Sequence, residues 1–177
     1  MNTENLATNR ENWRSIDGFG NYEVSQIGRV RNATSERILK GMLSNSGYLQ
    51  LALYKNGKRK VQYIHQLVAR EWILNPEGKR CVDHIDGNRT HNHFENLRWA
   101  SSSENSRNMK KHTDGSSVYK GVCYCNKSKK WKSRIRVDGK EKHLGYFTDE
   151  REAAKAYDAA AIEHYGVFAK LNDLTIV

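Results

Sequence analysis

Apolar and polar residues alternate near the start of the chain, at Tyr22 and Val24, and again at Leu49, Leu51 and Leu53. A period of two turns one side of an extended backbone toward a core, so both runs predict strands. Val61 and Tyr63 repeat the pattern, and Lys55-Asn56-Gly57-Lys58 stands between the two later runs. Asn-Gly at that place predicts a two-residue hairpin, because both central residues of a type I′ turn need positive φ. From Ile64 the period changes: Ile64, Leu67, Val68 and Trp72 share one helical face, and Asn75-Pro76 is expected to stop the helix. Residues 1–76 therefore read as a small antiparallel sheet backed by one helix.

Farther along, Val82-Asp83-His84 reads as the end of a strand and Leu97-Arg98-Trp99-Ala100 as its returning partner. Ser101-x-x-Glu104 has the form of a capping box and opens a short helix that carries Asn105 and Asn108. A polar stretch, Ser106 to Ser117, has the composition of a linker. Beyond it Val118–Val122, Trp131–Val137 and His143–Phe147 predict three short strands, with turns at Asn126–Lys130 and Asp138-Gly139. The helix predicted over Asp149–Tyr165 carries a stripe of Ala153, Ala154, Tyr157, Ala160 and Ala161, with Thr148 as its cap and acidic residues in its first turn. The fold class is α+β, in modules at 1–76, 77–108 and 118–177 with a linker at 109–117.

Composition supports modules over one large core, since 37% of the 177 residues are hydrophobic. The formal net charge of +10 draws polyanions, with nucleic acid the commonest and an anionic membrane surface the competitor. That charge is divided. Residues 113–148 carry nine Lys/Arg against three Asp/Glu, whereas 149–177 carry three against six. No apolar run approaches the roughly 18–20 residues that cross a bilayer, and the opening MNTENLATNRENW is too polar for a signal peptide, so a soluble intracellular protein is expected. Cys81, Cys123 and Cys125 form neither a paired disulfide framework nor two CxxC knuckles, which leaves them as free thiols in a reducing compartment.

The adjacent Asp83 and His84 are the chemically suggestive pair. Hydrolysis of a phosphodiester needs an activated water, a cation to offset transition-state charge and a means of stabilising the leaving 3′ oxygen. Successive strand residues point to opposite sides of the pleat, so a bend must aim both at one phosphate. A strand, a long loop, a returning strand and a helix would let Asp83 and Asn105 converge on one ion. A zinc site from Cys81, His84, His91 and His93 is the weaker alternative, because no CxxC accompanies them; His91 and His93 read as loop residues near DNA. His65 lies beside an apolar helix stripe and reads as structural, and Cys81 and Trp99 as core.

The segment Val82-Asp83-His84-Ile85-Asp86-Gly87-Asn88, with Asn96-Leu97-Arg98-Trp99 and Asn105 after it, resembles the ββα-metal core of HNH endonucleases of the phage intron homing type. Upstream, Trp13-Arg14-x-Ile16, Tyr22-Glu23-Val24-Ser25, Gly28-Arg29-Val30 and Ile64-His65-Gln66-Leu67-Val68-Ala69 resemble the modular DNA-binding region that commonly precedes that core. The resemblance implies that His84 is the general base and that Asp83 and Asn105 hold one divalent metal. It also implies that Asn96 orients His84 through a hydrogen bond to its backbone. The last motif position is Asn105 and not His, a weaker neutral oxygen ligand, and oxygen donors suit Mg²⁺ or Mn²⁺ over Zn²⁺.

Residues 117–173 resemble the plant ethylene-response-factor (Apetala-two) type of DNA-binding domain, through Tyr119-Lys120-Gly121-Val122, Trp131, Arg134-Ile135-Arg136, Leu144-Gly145-Tyr146-Phe147, Glu152-Ala153-Ala154 and Lys170-Leu171-Asn172. That fold lays a three-stranded antiparallel sheet in the major groove with one helix behind it, which implies basic strands on DNA and an acidic helix turned away. The resemblance makes Lys120, Trp131, Arg134 and Arg136 contact positions, with Lys127, Lys129, Lys130 and Lys132 on phosphate. Cys123 stands where the plant proteins carry arginine, so their base preference does not transfer. At the other end, the hairpin tip offers Lys55, Lys58, Arg59 and Lys60. The expected activity is site-specific endonucleolytic cleavage of double-stranded DNA leaving 5′-phosphate and 3′-hydroxyl ends, with no membrane and no obligate protein partner. If the gene is phage-borne, the compartment is a bacterial cytoplasm. The rival is a DNA-binding regulator with an inert HNH core.

Overall fold

The computed structural model describes residues 11–109 and 115–175, and divides into two units, 1–100 and 101–177. Residues 110–114, which belong to the expected linker, lie outside the described residues.

The first unit opens with a three-stranded antiparallel sheet of β1 (Trp13–Ser15), β2 (Tyr22–Ser25) and β3 (Val30–Asn32) in that order. A second sheet follows, β4 (Met42–Leu43), β5 (Leu49–Lys55) and β6 (Lys58–Tyr63). Its β5–β6 hairpin closes at Asn56 (φ 51°) and Gly57 (φ 72°), the two positive values that the Asn-Gly turn requires. The helix α1 (Ile64–Trp72) buries Ile64, His65, Leu67, Val68 and Ala69. It ends earlier than expected, at Ile73, whose extended backbone leaves the helix before Asn75-Pro76 is reached. Asn75 instead closes the following turn, accepting from the Lys79 N–H at 2.9 Å and donating to the Lys79 carbonyl at 2.9 Å.

A hairpin of β7 (Cys81–His84) and β8 (Leu97–Ala100) completes this unit, joined by a loop that ends in one 3-10 turn, Phe94–Asn96. Its apolar residues settle the question of modules. Val82 and Leu97 are buried in the same cluster as Ile16, Val24, Val30, Leu51, Leu53, Ile64, Leu67 and Val68. The boundary expected at residue 76 thus falls inside one unit, because neither the hairpin nor the first sheets bury an apolar face alone. Trp99 half-buries against that cluster and donates its indole N–H to the Ile73 carbonyl at 3.0 Å.

The second unit begins with α2 (Ser102–Asn108), whose Ser101 and Glu104 form the expected reciprocal capping box. A sheet follows in the order β11-β10-β9, from β9 (Val122–Cys125), β10 (Lys130–Val137) and β11 (Lys140–Phe147), with α3 (Glu150–Tyr165) packed on one face. The first strand is displaced from the expected Val118–Val122. Residue 121 must be glycine at φ 78°, and a Cβ there would drive into the Tyr157 ring, so the chain turns before β9 begins. The cap of α3 is also shifted by one. Asp149, not Thr148, accepts from the N–H groups of Arg151 at 2.7 Å and Glu152 at 3.0 Å, and its carboxylate faces the positive end of the helix dipole as well.

Candidate active site

Asp83 and His84 sit at the end of β7, each 4% exposed. Strand register places Arg98 of β8 directly across from Asp83, and its Nε and Nη2 donate to Asp83 Oδ2 at 2.8 Å and 2.7 Å. Both donors hold the same carboxylate oxygen, in a setting that water scarcely reaches.

His84 points to the other side, into a cluster of rings. Its centroid lies 5.2 Å from that of His65 and 5.9 Å from that of Tyr48, while Tyr48 and His65 are 4.8 Å apart. One ring nitrogen, Nε2, lies 2.9 Å from Asn92 Oδ1. Asn92 is itself 4% exposed and closes over Gly28, where an added Cβ would stand 2.6 Å from the Asn92 Cβ. Burial lowers the His84 pKa, opposed by the Asn92 hydrogen bond and by the charges of Asp86 and Asp83. The result is an imidazole that is neutral at neutral pH, the state in which it accepts a proton. His65 is structural in the expected sense, 5% exposed, with Nδ1 buried and without a hydrogen-bond partner. Burial first, then the charge of His84, takes its pKa down to about 4.

The loop after His84 is held from within. Asn96 was expected to reach the His84 backbone; its side chain is directed two residues farther on. Asn96 Oδ1 accepts from the Asp86 N–H at 3.1 Å, and its Nδ2 donates to Asp86 Oδ1 at 3.0 Å and to the His91 carbonyl at 2.8 Å. The Ile85 N–H donates to the Asn96 carbonyl at 2.9 Å. Asn96 therefore shapes the turn that follows His84. Burial raises Asp86, but hydrogen bonds from His91, the Asn88 N–H and Asn96 outweigh it and bring the carboxyl to about 2. Arg89 lies over the Tyr48 ring at 5.0 Å and donates to the Ser46 carbonyl at 2.8 Å, which ties this loop to the β4–β5 connection.

The zinc alternative finds no support: His91 pairs with Asp86, the His93 ring accepts from the Glu95 N–H, and among the described residues no three His, Cys, Asp or Glu side chains gather to hold a metal. Asn105 lies on α2 in the second unit.

Basic residues form two exposed groups. Lys55, Lys58, Arg59 and Lys60 are all exposed around the β5–β6 turn. In the second unit, strand alternation puts Lys130, Lys132, Arg134 and Arg136 on the sheet face opposite α3, beside Cys123 and Cys125, while Lys127 and Lys129 are exposed in the β9–β10 turn. Glu141 sits among these cations, 2.6 Å from Arg134 and 3.3 Å from Lys132. Trp131 is the exception among the expected contacts. It shares the inner face with Ser133 and Ile135, packs against the cluster of Tyr119, Val122, Ala153 and Ala154, and meets Tyr124 edge-on at 5.1 Å. Lys120 also departs, its ammonium donating to backbone carbonyls of Arg107 and Met109.

Tyr48, Asn92, Arg98 and Gly28 are the site residues that sequence reasoning passed over. Arg98 was within reach, since pairing Cys81 with Ala100 in an antiparallel hairpin puts Arg98 opposite Asp83. Asn92 lies between the two histidines read as loop, and Tyr48 arrives from a distant turn.

Comparison with known proteins agrees with this arrangement. Residues 11–54 match the NUMOD4 motif and residues 75–107 an HNH endonuclease family. The DNA endonuclease I-HmuI of Bacillus phage SP01 is 38% identical over 98 residues, 55% of this chain and 56% of that one. A solved structure of DNA binding and cleavage by I-HmuI aligns with a TM-score of 0.51 and 29% identity over 87% of this chain and 91% of that one. An uncharacterized HNH endonuclease, L245 of Acanthamoeba polyphaga mimivirus, is 40% identical over 93 residues, 52% of this chain and 28% of that protein. The AP2-like ethylene-responsive transcription factor AIL7 of Arabidopsis thaliana is 47% identical over 60 residues, a third of this chain and 12% of that protein. The chain spans 28% to 56% of the length of these curated nuclease relatives. HNH nucleases generally use a divalent metal ion. The NUMOD4 and HNH matches follow one another along the sequence, and the Asp83-His84 hairpin lies inside the second, so residues 75–107 are an HNH endonuclease module preceded by a NUMOD4 motif.

Proposed function

We propose that this protein is a site-specific, homing-type DNA endonuclease that hydrolyses phosphodiester bonds at the end of the β7–β8 hairpin, leaving 5′-phosphate and 3′-hydroxyl ends. The observation that carries the reading is His84, buried and held by Asn92, beside an Arg98-clamped Asp83. In this reading His84 removes a proton from the attacking water. Asn92 holds the ring at Nε2, and the tilted rings of Tyr48 and His65 pack against it, so the imidazole is oriented before substrate arrives.

Asp83 and Asn105 would hold one divalent ion, which supplies charge at the scissile phosphate when bound. A carboxylate and an amide oxygen fit a hard cation such as Mg²⁺ or Mn²⁺, which keeps water and phosphate as its remaining ligands. Arg98 holds one carboxylate oxygen and so sets the direction of Asp83. Asn96 acts at one remove, keeping the turn after His84 closed around Asp86.

Double-stranded DNA is the substrate that the surface favours. The tip lysines of the first unit and the outer sheet face of the second present cations at two places on a chain of net charge +10. We assign the outer face, Lys130, Lys132, Arg134 and Arg136, to the DNA contacts of an Apetala-two-like module at 118–177, with Lys127 and Lys129 on phosphate, and exclude Trp131 because it packs inward. The test is His84→Ala, which should reduce metal-dependent nicking of a target plasmid by about 10²–10⁴-fold while leaving duplex binding intact. Undiminished cleavage would remove His84 from its role, and wild-type binding without any metal-dependent nicking would favour a regulator.

A further inference from the structure

The side chain that the plant-domain resemblance assigns to DNA is engaged elsewhere. Lys120 is half-buried, and its Nζ donates to the carbonyls of Arg107 at 2.5 Å and Met109 at 2.7 Å, at the C-terminal end of α2. The last carbonyls of a helix lack intrahelical partners and carry the negative end of its dipole, so an ammonium answers both needs. Lys120 is also fixed from behind. Its N–H donates to Asn172 Oδ1 at 2.6 Å, and Asn172 Nδ2 donates to Asp158 Oδ1 on α3 at 2.8 Å. A second tie runs alongside: the Arg107 guanidinium lies over the Tyr165 ring at 4.8 Å, and the Tyr165 hydroxyl donates to the Arg136 carbonyl at 2.5 Å. Burial, and then the charge of Lys170, lowers Lys120 to about 8, which leaves it mostly protonated at neutral pH.

We propose that Lys120 is a positioning residue that latches α2, the helix bearing Asn105, onto the C-terminal module, and that it is not a DNA contact. The consequence for cleavage rests on the function proposed for Asn105; the latch itself does not. A phosphate-binding lysine projects into solvent with a mobile ammonium, whereas this one is enclosed between two carbonyls and held by a chain of bonds from α3. The C-terminal module then has a second task besides binding, which is to hold a helix of the nuclease core.

In the unmodified full-length chain, NMR should show a slowly exchanging Lys120 ammonium with through-hydrogen-bond coupling to the Arg107 and Met109 carbonyl carbons. A fast-exchanging, uncoupled ammonium would overturn the latch. In Lys120→Met, amide exchange across residues 103–109 should rise about tenfold while β10 stays protected. With target DNA at saturation, the single-turnover cleavage rate should fall about tenfold, since misplacement of about 1 Å costs that much or more. Duplex affinity and its salt dependence should stay as in the wild type. The opposite pattern, weaker binding with a salt slope smaller by about one and unchanged α2 exchange and cleavage rate, would identify a phosphate contact and refute the proposal. Should Lys120→Met lose β10 protection, Lys120→Gln is read in the same way and the wild-type ammonium resonance decides. A coupled ammonium in a chain that cuts no DNA would sink the nuclease reading and leave the latch standing.

Discussion

His65 and His84, with rings 5.2 Å apart, have different relations to the proton. For His84 the burial that lowers its pKa suits the base proposed above, because a base must arrive unprotonated. For His65 the same burial is a liability on acidification. Its folded-state pKa of about 4 lies below the ordinary 6.5, so the unfolded chain binds the proton first. Stability from this residue is complete above pH 6.5 and is lost as pH falls toward 4, by up to about 3 kcal/mol. Urea denaturation of wild type and His65→Phe at pH 7, 5.5 and 4 should show the difference shrinking or reversing in favour of the variant as pH drops. A constant difference would show that His65 titrates normally in the fold. The pairing of the two does not declare itself in the sequence. Asp83-His84 is legible as adjacent chemistry, but His65 becomes its neighbour only because the start of α1 packs beside the end of β7, a contact that local spacing does not encode.

At the scale of elements, alternation proved informative where the chain is regular. The Asn-Gly hairpin, the β7–β8 pair, β10 and α3 are where periodicity and turn chemistry place them, whereas α1 stops short of Asn75-Pro76 and β11 starts at Lys140, three residues before the expected His143. Other misplacements have local causes: Gly121 turns at positive φ under the Tyr157 ring before β9 begins, and the Asp149 carboxylate, binding two N–H groups, takes the cap position expected of Thr148. The same logic assigns Trp131 inward, since β10 must cover α3 with every second residue. It also isolates Glu141 as the acidic residue that occupies Arg134 and Lys132 on the opposite face. Glu141→Gln should release both cations to phosphate, tightening duplex binding several-fold at low salt and steepening its salt dependence. Titration of the variant across salt concentrations measures this; unchanged affinity would mean that this face does not meet DNA.

For the molecule as a whole, two groups of cations stand out among the described residues, at the β5–β6 tip and on the outer sheet of the second unit. If both are DNA contacts, as proposed, each reinforces the other, because the second forms at high effective concentration once the first is made. Neutralising Lys55, Lys58, Arg59 and Lys60 together should reduce the slope of log affinity against log salt by up to about four, leaving the cleavage rate of fully bound DNA near that of the wild type. A slope that does not move would take the tip off the nucleic acid.

The common interior that Val82 and Leu97 share with Leu53, Leu67 and Val24 sets a rule for anyone wishing to transplant the scissors. Cut out at residues 77–108, the hairpin would carry a naked oily face, that of Val82 and Leu97, and no scaffold to cover it. The smallest transferable cutting piece must bring its upstream sheets and helix along, so new target preferences are better sought by rebuilding the surface of those sheets than by swapping the hairpin into a different host protein.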